Sequence, residues 1–375
     1  MTALLFALLL VQAPADVERL HTAERLMDNG RCAEAIPLLK TLLAGHPEAP
    51  TIRYGLGRCY FETRDYAAAV TTLQELVRTQ PESAEIRFFL GSSLGLSGNI
   101  PEAFLELRKA MELDPTFEPA YRAFGMFRVQ GGMISKDALE ALQSAVRLDP
   151  RDARAWYWLG EYYRANDDNT QARRQFERAN QIDPKDPAIQ LGLGRVLLDD
   201  GEVDAALSQF DAVLRLQPSL VPALLGRARA LYYQGRAAQA LAPAEAARKD
   251  ARHFDDATGA AWILCRIYRV LGREAEAQAA ERKLKELQDS FAARLARAEE
   301  LSDQAIHFEA DGRPDKVVET LEAYMQMKDT DPDVLIRLGD AYRKLGRLDD
   351  ARRCYIRASQ FGPLTEGLRR RLQDR

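Results

Sequence analysis

The sequence predicts an all-α fold, an α-solenoid of about ten antiparallel helix-turn-helix units closed by a C-terminal capping helix. Three in-phase observations carry that prediction. Pro47, Pro81, Pro115, Pro150, Pro184 and Pro218 lie 34, 34, 35, 34 and 34 residues apart, a period typical of stacked helix pairs. Proline lacks the amide donor and clashes with the preceding turn, so each one stops a helix and opens a new unit. Gly30, Gly98, Gly132, Gly201, Gly235, Gly272, Gly312 and Gly346 fall at mid-unit, where a left-handed residue closes the first helix. Inside a unit the apolar residues recur every three to four places, as in Val203, Ala206, Leu207, Phe210 and Val213, and no strand-like alternation of useful length competes.

Two further series refine each unit. Five residues after the mid-unit turn stand Ala35, Ala69, Ala103, Ala172, Ala206, Ala240, Ala277 and Ala351, with Ala138 one place later and Val317 as a substitute. The first helix carries Gly57, Gly91, Gly125, Gly160, Gly194 and Gly339, alternating with Ala23, Ala228, Cys265 and Ala305. Glycine inside a helix costs up to about 1 kcal/mol relative to alanine, so its recurrence predicts a contact too close for a larger side chain, here expected between helix backbones.

Composition agrees with stacked amphipathic helices. Apolar residues make up 46%, charged residues 29% and aromatics 8%, and 52 basic against 56 acidic residues leave a net charge of −4. No global field favours nucleic acid or anionic lipid, so charge-based recognition must be local. Residues 1–15 stand apart. Ala3 to Val11 is an uncharged apolar run followed by Ala13-Pro14-Ala15, the small-x-small form of a signal-peptidase site. At roughly ten residues the run is too short to span a bilayer, which takes about 20. The expectation is a cleaved export signal and a periplasmic or secreted protein without stable membrane insertion. Residues 16–257 then hold units 1–7, and residues 258–363 hold units 8–10. The 40-residue interval from Gly272 to Gly312 contains no Gly or Pro, so an extended helical spacer is expected near 285–300, with Leu284, Leu287, Phe291, Leu295 and Leu301 as an apolar stripe that stiffens the array. Residues 364–375 form the capping helix.

Trp156, Leu159, Gly160, Tyr163, Ala172, Phe176, Ala179 and Pro184 match the tetratricopeptide signature within one 34-residue unit. The chain resembles that family from Asp16 to Pro363. The resemblance implies a right-handed superhelix whose first helices line a concave groove, and a non-catalytic scaffold that binds a protein or peptide. Exported members of the family also serve as structural subunits of outer-membrane assembly or polysaccharide-export machines, which is the alternative role. Asparagines and lysines of the family's chaperone-tail clamp are absent from the groove places.

Chemistry-bearing patterns are few. Gly91-Ser92-Ser93-Leu94-Gly95 fits a nucleophile elbow but lies within a helix, not after a strand. Gly55-Leu56-Gly57 and Gly192-Leu193-Gly194 lack the third glycine and the preceding strand of a dinucleotide loop. His21, His46, His253 and His307 are scattered, so no metal site, catalytic residue or cofactor is expected. Cys32 and Cys59 are placed about five residues out of register on adjacent helices, and Cys265 and Cys354 two units apart, so all four are expected to be unpaired buried thiols. In the groove, Arg195, Arg229 and Arg266 directly follow the small first-helix residue of three consecutive units. Arg58 holds the same place earlier, Arg164 and Arg269 lie one turn further along their helices, and Tyr54, Phe88, Tyr157, Trp262 and Tyr232 add aromatic surface. Guanidinium groups bind carboxylates bidentately while rings supply contact area, so the expected ligand is an extended acidic or carboxylate-bearing segment.

Overall fold

The computed structural model describes residues 14–328, 331–361 and 366–373, and every regular element among them is a helix. The chain forms two compact units. The first takes the described chain to Gly131 together with Glu140–Asp149, and the second takes Gly132–Leu139 together with the described chain from Pro150. In the first lie α1 (Pro14–Asp28), α2 (Cys32–Gly45), α3 (Pro50–Glu62), α4 (Tyr66–Thr79), α5 (Ala84–Leu96), α6 (Ile100–Leu113) and α7 (Glu118–Gln130). Helix α8 (Lys136–Leu148) contributes to both. In the second lie α9 (Ala153–Ala165), α10 (Asn169–Ile182), α11 (Pro187–Asp199), α12 (Val203–Leu216), α13 (Val221–Tyr233), α14 (Ala237–Asp250), α15 (Phe254–Val270), α16 (Glu274–Ala310), α17 (Pro314–Met327), α18 (Pro332–Lys344), α19 (Leu348–Phe361) and α20 (Glu366–Gln373). Consecutive helices pack as pairs, and first helices of successive pairs also touch, α3 with α5 and α7 in turn, and α9, α11, α13 and α15 in turn.

Local chemistry explains the boundaries. All eight mid-unit glycines have positive φ, between 65° and 89°, the left-handed conformation that closes a helix at little cost only for glycine. Two units without a mid-unit glycine use Arg64 (φ 63°) and Asp167 (φ 59°) at the same place. At the other turn, a side chain six residues after the unit-opening proline reaches back to its carbonyl oxygen. Arg53 donates to Pro47 over 2.7 Å, Arg87 to Pro81 over 2.7 Å, Trp156 to Pro150 over 3.0 Å and Gln190 to Pro184 over 2.7 Å. These bonds pair carbonyls of the turn itself, two residues beyond the end of the preceding helix.

The second-helix small-residue series is wholly buried, from Ala35 and Ala69 through Ala277 to Val317 and Ala351. The first-helix glycines are close contacts of a different kind from the expected one. A Cβ on Gly160 would stand 2.8 Å from the Phe176 ring, on Gly194 2.9 Å from the Phe210 ring, and on Gly57 2.8 Å from Leu73. A large side chain of the partner helix, rather than its backbone, presses on the glycine. At Gly91 both kinds of contact occur, with the Leu107 side chain 2.9 Å and the Ala103 carbonyl oxygen 3.0 Å from the added Cβ. Phe176 also lies against Gly192 of the next unit, and Phe210 against Gly226, so one fully buried ring locks two successive units together.

Helix α16 runs 37 residues, about 55 Å at 1.5 Å per residue. Its first end packs in the core formed with α13–α15 through Ala277, and its last end packs in the core of α17–α20 through Ala298, Leu301 and Ala305. It thus acts as second helix of one pair and first helix of the next. The stripe between these ends is less covered than the apolar pattern led one to expect: Leu284, Leu287 and Phe291 are half-buried and Leu295 is exposed. Phe291 stacks on Phe254 with ring centroids 4.6 Å apart. At the far end Leu368 of α20 is buried among α17–α19, and both carboxylate oxygens of Asp340 accept from Arg371 at 2.8 Å. Burial opposes the charge on Asp340, but the bonds from Arg371 and Tyr355 outweigh it and hold the carboxyl below its ordinary value. The expected export signal lies, up to residue 13, outside the described residues, while Pro14 and Ala15 begin α1. Among the described residues no helix is long and apolar enough to cross a membrane.

Candidate functional site

The expected groove residues fall in the two compact units and form two groups. In the first, Tyr54 and Arg58 lie on α3 and Phe88 on α5. The Tyr54 hydroxyl donates to Glu85 of α5 over 2.5 Å, and burial, reinforced by that carboxylate, pushes the phenol pKa well up. Phe88 stands edge-on to Phe89 and Phe117, at 5.1 and 5.4 Å between centroids, so its ring helps fix the packing of this face. Arg58 is half-buried and forms no ion pair among the described residues.

The second group is denser. Helices α9, α11, α13 and α15 lie side by side and place Tyr157, Arg164, Arg195, Arg229, Tyr232, Trp262, Arg266 and Arg269 on or near one face. The structure sorts these cations. Arg164 is held by Glu161, its Nη2 2.8 Å from Oε2, and Arg269 is held by Glu281 of α16 over 2.7 Å. Neither guanidinium stands unpaired. Arg195, Arg229 and Arg266 form no hydrogen bond or ion pair among the described residues, and the half-buried Arg229 leaves its Nε buried without an acceptor. Burial lowers the Arg195 pKa, with Glu161 opposing and Arg164 adding to the shift, yet an arginine stays charged at any ordinary pH. The Trp262 ring takes the guanidinium carbons of Arg266 at 4.3 Å and Arg229 at 5.4 Å, both inside cation–π range. Tyr232 packs partly buried beside the α13–α15 core and 5.8 Å from Tyr233. Tyr157 is pushed up by burial and by Glu161.

Acidic residues that the sequence did not single out as site residues also border the face, Glu161 and Asp199 most directly, with Asp256 acting on Arg195 and Asp186 on Tyr157 from further off. Glu161 is buried and lies beside Tyr157, Arg164 and Arg195. Asp199, at the end of α11, is raised above an ordinary carboxyl by partial burial, against the pull of Arg229, Arg164 and Arg195. The Arg164–Glu161 pair has an i,i+3 helical spacing and could have been read from the sequence. Asp199 required the packing of α11 against α13. The face is therefore a strip of excess guanidinium with a tryptophan in contact with two cations, suited to accept carboxylates beside an apolar group. Elsewhere, the Ser93 hydroxyl lies inside α5 and donates to the Phe89 carbonyl over 2.7 Å, and no cluster of three metal-ligating side chains occurs among the described residues.

Stacked helix pairs with in-phase turns and small-residue contacts define a helical-repeat protein. Two family models described as tetratricopeptide repeat match the chain, one over residues 26–88, 163–224 and 309–366 and the other over 135–187. The chain belongs to the tetratricopeptide repeat family. It is 34% identical over 137 residues to the Protein CTR9 homolog of Arabidopsis thaliana, a match covering 35% of this chain and only 12% of that protein. Among solved structures it is similar to PilF of Pseudomonas aeruginosa (23% identity, TM-score 0.48, covering 56% of this chain and 93% of that one). It is also similar to the human IFIT1 dimer solved with m7Gppp-AAAA (18% identity, TM-score 0.46, covering 93% and 90%).

Proposed function

We propose that this protein, whose tetratricopeptide repeats make it a protein-interaction scaffold, captures an acidic, extended segment of a partner protein on the face of α11, α13 and α15. The observation that carries the proposal is the set of three arginines, one from each of three successive first helices, that form no ion pair among the described residues, two of them against Trp262. Arg195 and Arg229 are half-buried without an ion-paired carboxylate, and Arg266 is exposed; an incoming carboxylate relieves the cost of the first two and forms charge-assisted bonds with all three. Asp199 and Glu161 limit the excess charge, which favours a ligand presenting carboxylates at spaced positions over a uniform polyanion. The apolar run Ala3–Val11 and the Ala13-Pro14-Ala15 motif support a place for this scaffold in the cell envelope. The test is a pull-down from envelope extract with wild-type protein and with Arg195→Glu, Arg229→Glu and Arg266→Glu combined. Loss of specific partners in the variant is expected; equal recovery of the same partners removes the arginines from the binding site.

A further inference from the structure

Cys32 and Cys59 are not the separated thiols expected from their helical register. Cys32 is the first residue of α2 and Cys59 lies in the last turn of α3. The antiparallel packing of α2 on α3 brings the two Sγ atoms to 2.9 Å, far closer than sulfurs rest in ordinary packing, although the two residues are 27 apart in sequence. Both are buried among Leu20, Ala23, Ala35 and Leu56. Cys265 and Cys354 are also buried, Cys265 on α15 and Cys354 in the core of α17–α20.

We propose that Cys32 and Cys59 are a disulfide site that locks α2 to α3. Closing the gap to the bonded separation of about 2 Å requires a shift of roughly 1 Å, well within what two side-chain torsions supply. The oxidant is a small-molecule or protein disulfide. The thiolate of Cys32, the slightly less buried residue of the two, attacks one sulfur of that disulfide and releases one thiolate. Cys59 then loses its proton, attacks Cys32 Sγ in the mixed disulfide and releases the second thiolate. Two thiols are oxidised and one external disulfide is reduced to two thiols. Burial pushes the Cys59 thiol well up, with Cys32 adding to the shift, so exchange is slow in the folded chain and the bond forms as α1–α4 fold. Once formed, it is shielded from reductant by the same packing, and it shortens the unfolded chain by a closed loop.

The experiment refolds the full-length chain in a buffer of reduced and oxidised glutathione, alkylates remaining thiols and maps peptides without reduction. The expected result is a Cys32–Cys59 cross-linked peptide with Cys265 and Cys354 alkylated, and an unfolding midpoint of the N-terminal helices about 5 °C higher in the oxidised than in the reduced protein. Cys265→Ser with Cys354→Ser retains that difference, while Cys59→Ser, or Cys32→Ala if the former folds poorly, abolishes it. Alkylation of all four cysteines, or a bridge that uses Cys265, Cys354 or a second chain, overturns the proposal. The wild-type map alone decides the point.

Discussion

Between Ala153 and Tyr233 the chain is held by two ring-on-glycine interlocks, one per unit step, whereas the middle of α16 is held by little besides one ring stack. In the first region Phe176 fills the space over both Gly160 and Gly192, and Phe210 the space over Gly194 and Gly226. Position is set there by steric fit, and each ring carries register from one pair to the next. In α16, Ala277 and Ala305 are fully buried while Leu295 is 38% exposed, and the middle of the helix rests on its own backbone bonds and on the Phe254–Phe291 stack. The difference teaches that a repeat array transmits structure through ring-on-glycine contacts, and that a stretch without them is a strut joining two cores.

Breaking an interlock has the largest expected effect. Gly160→Leu drives a side chain into the Phe176 ring and should destabilise the α9–α11 region by about 3 kcal/mol through overpacking; an unchanged chemical-denaturation midpoint for that region would refute the interlock. Ala293→Pro, at an exposed place in α16, removes one helix bond and costs the helix about 3 kcal/mol locally. Because the substitution touches neither core, the unfolding transitions of α13–α15 and α17–α20 should each move by less than about 1 kcal/mol, as followed by hydrogen exchange. A collapse of either core with the strut would show that α16 couples them. The smallest effect sharpens the turn chemistry: Arg64→Gly relieves a left-handed non-glycine residue and should stabilise the first compact unit by about 0.5–1 kcal/mol, read from its thermal midpoint. A loss of stability would mean that the Arg64 side chain contributes more than its backbone costs.

These contrasts also mark what was legible in the sequence. Proline and glycine are local punctuation, so every mid-unit glycine read from the sequence lies in the left-handed region. Arg64 and Asp167 adopt the same conformation without a residue type that announces it. The period showed that the first-helix glycines face something close, but not whether a backbone or a ring presses on them, because that depends on the rotamer of a residue across the pair. Counting residues along the two helices separated Cys32 from Cys59, because it fixed only their axial offset and not where the two side chains point across the helix pair. At the candidate site, spacing identified the arginines. Which of them are paired was set by tertiary neighbours such as Glu281, twelve residues beyond Arg269 and on another helix.

The most direct test of the binding face uses Trp262 as its own reporter. With Trp156→Phe and Trp158→Phe, Trp262 is the last tryptophan in the chain. Titration with a Glu-rich peptide should change its emission saturably, as carboxylates draw Arg229 and Arg266 off the ring. The affinity should fall as salt rises, and the change should vanish in the Arg195→Glu, Arg229→Glu, Arg266→Glu background. A flat emission, or an equal response to a Lys-rich peptide, would contradict the assignment of this face as an acidic-segment site.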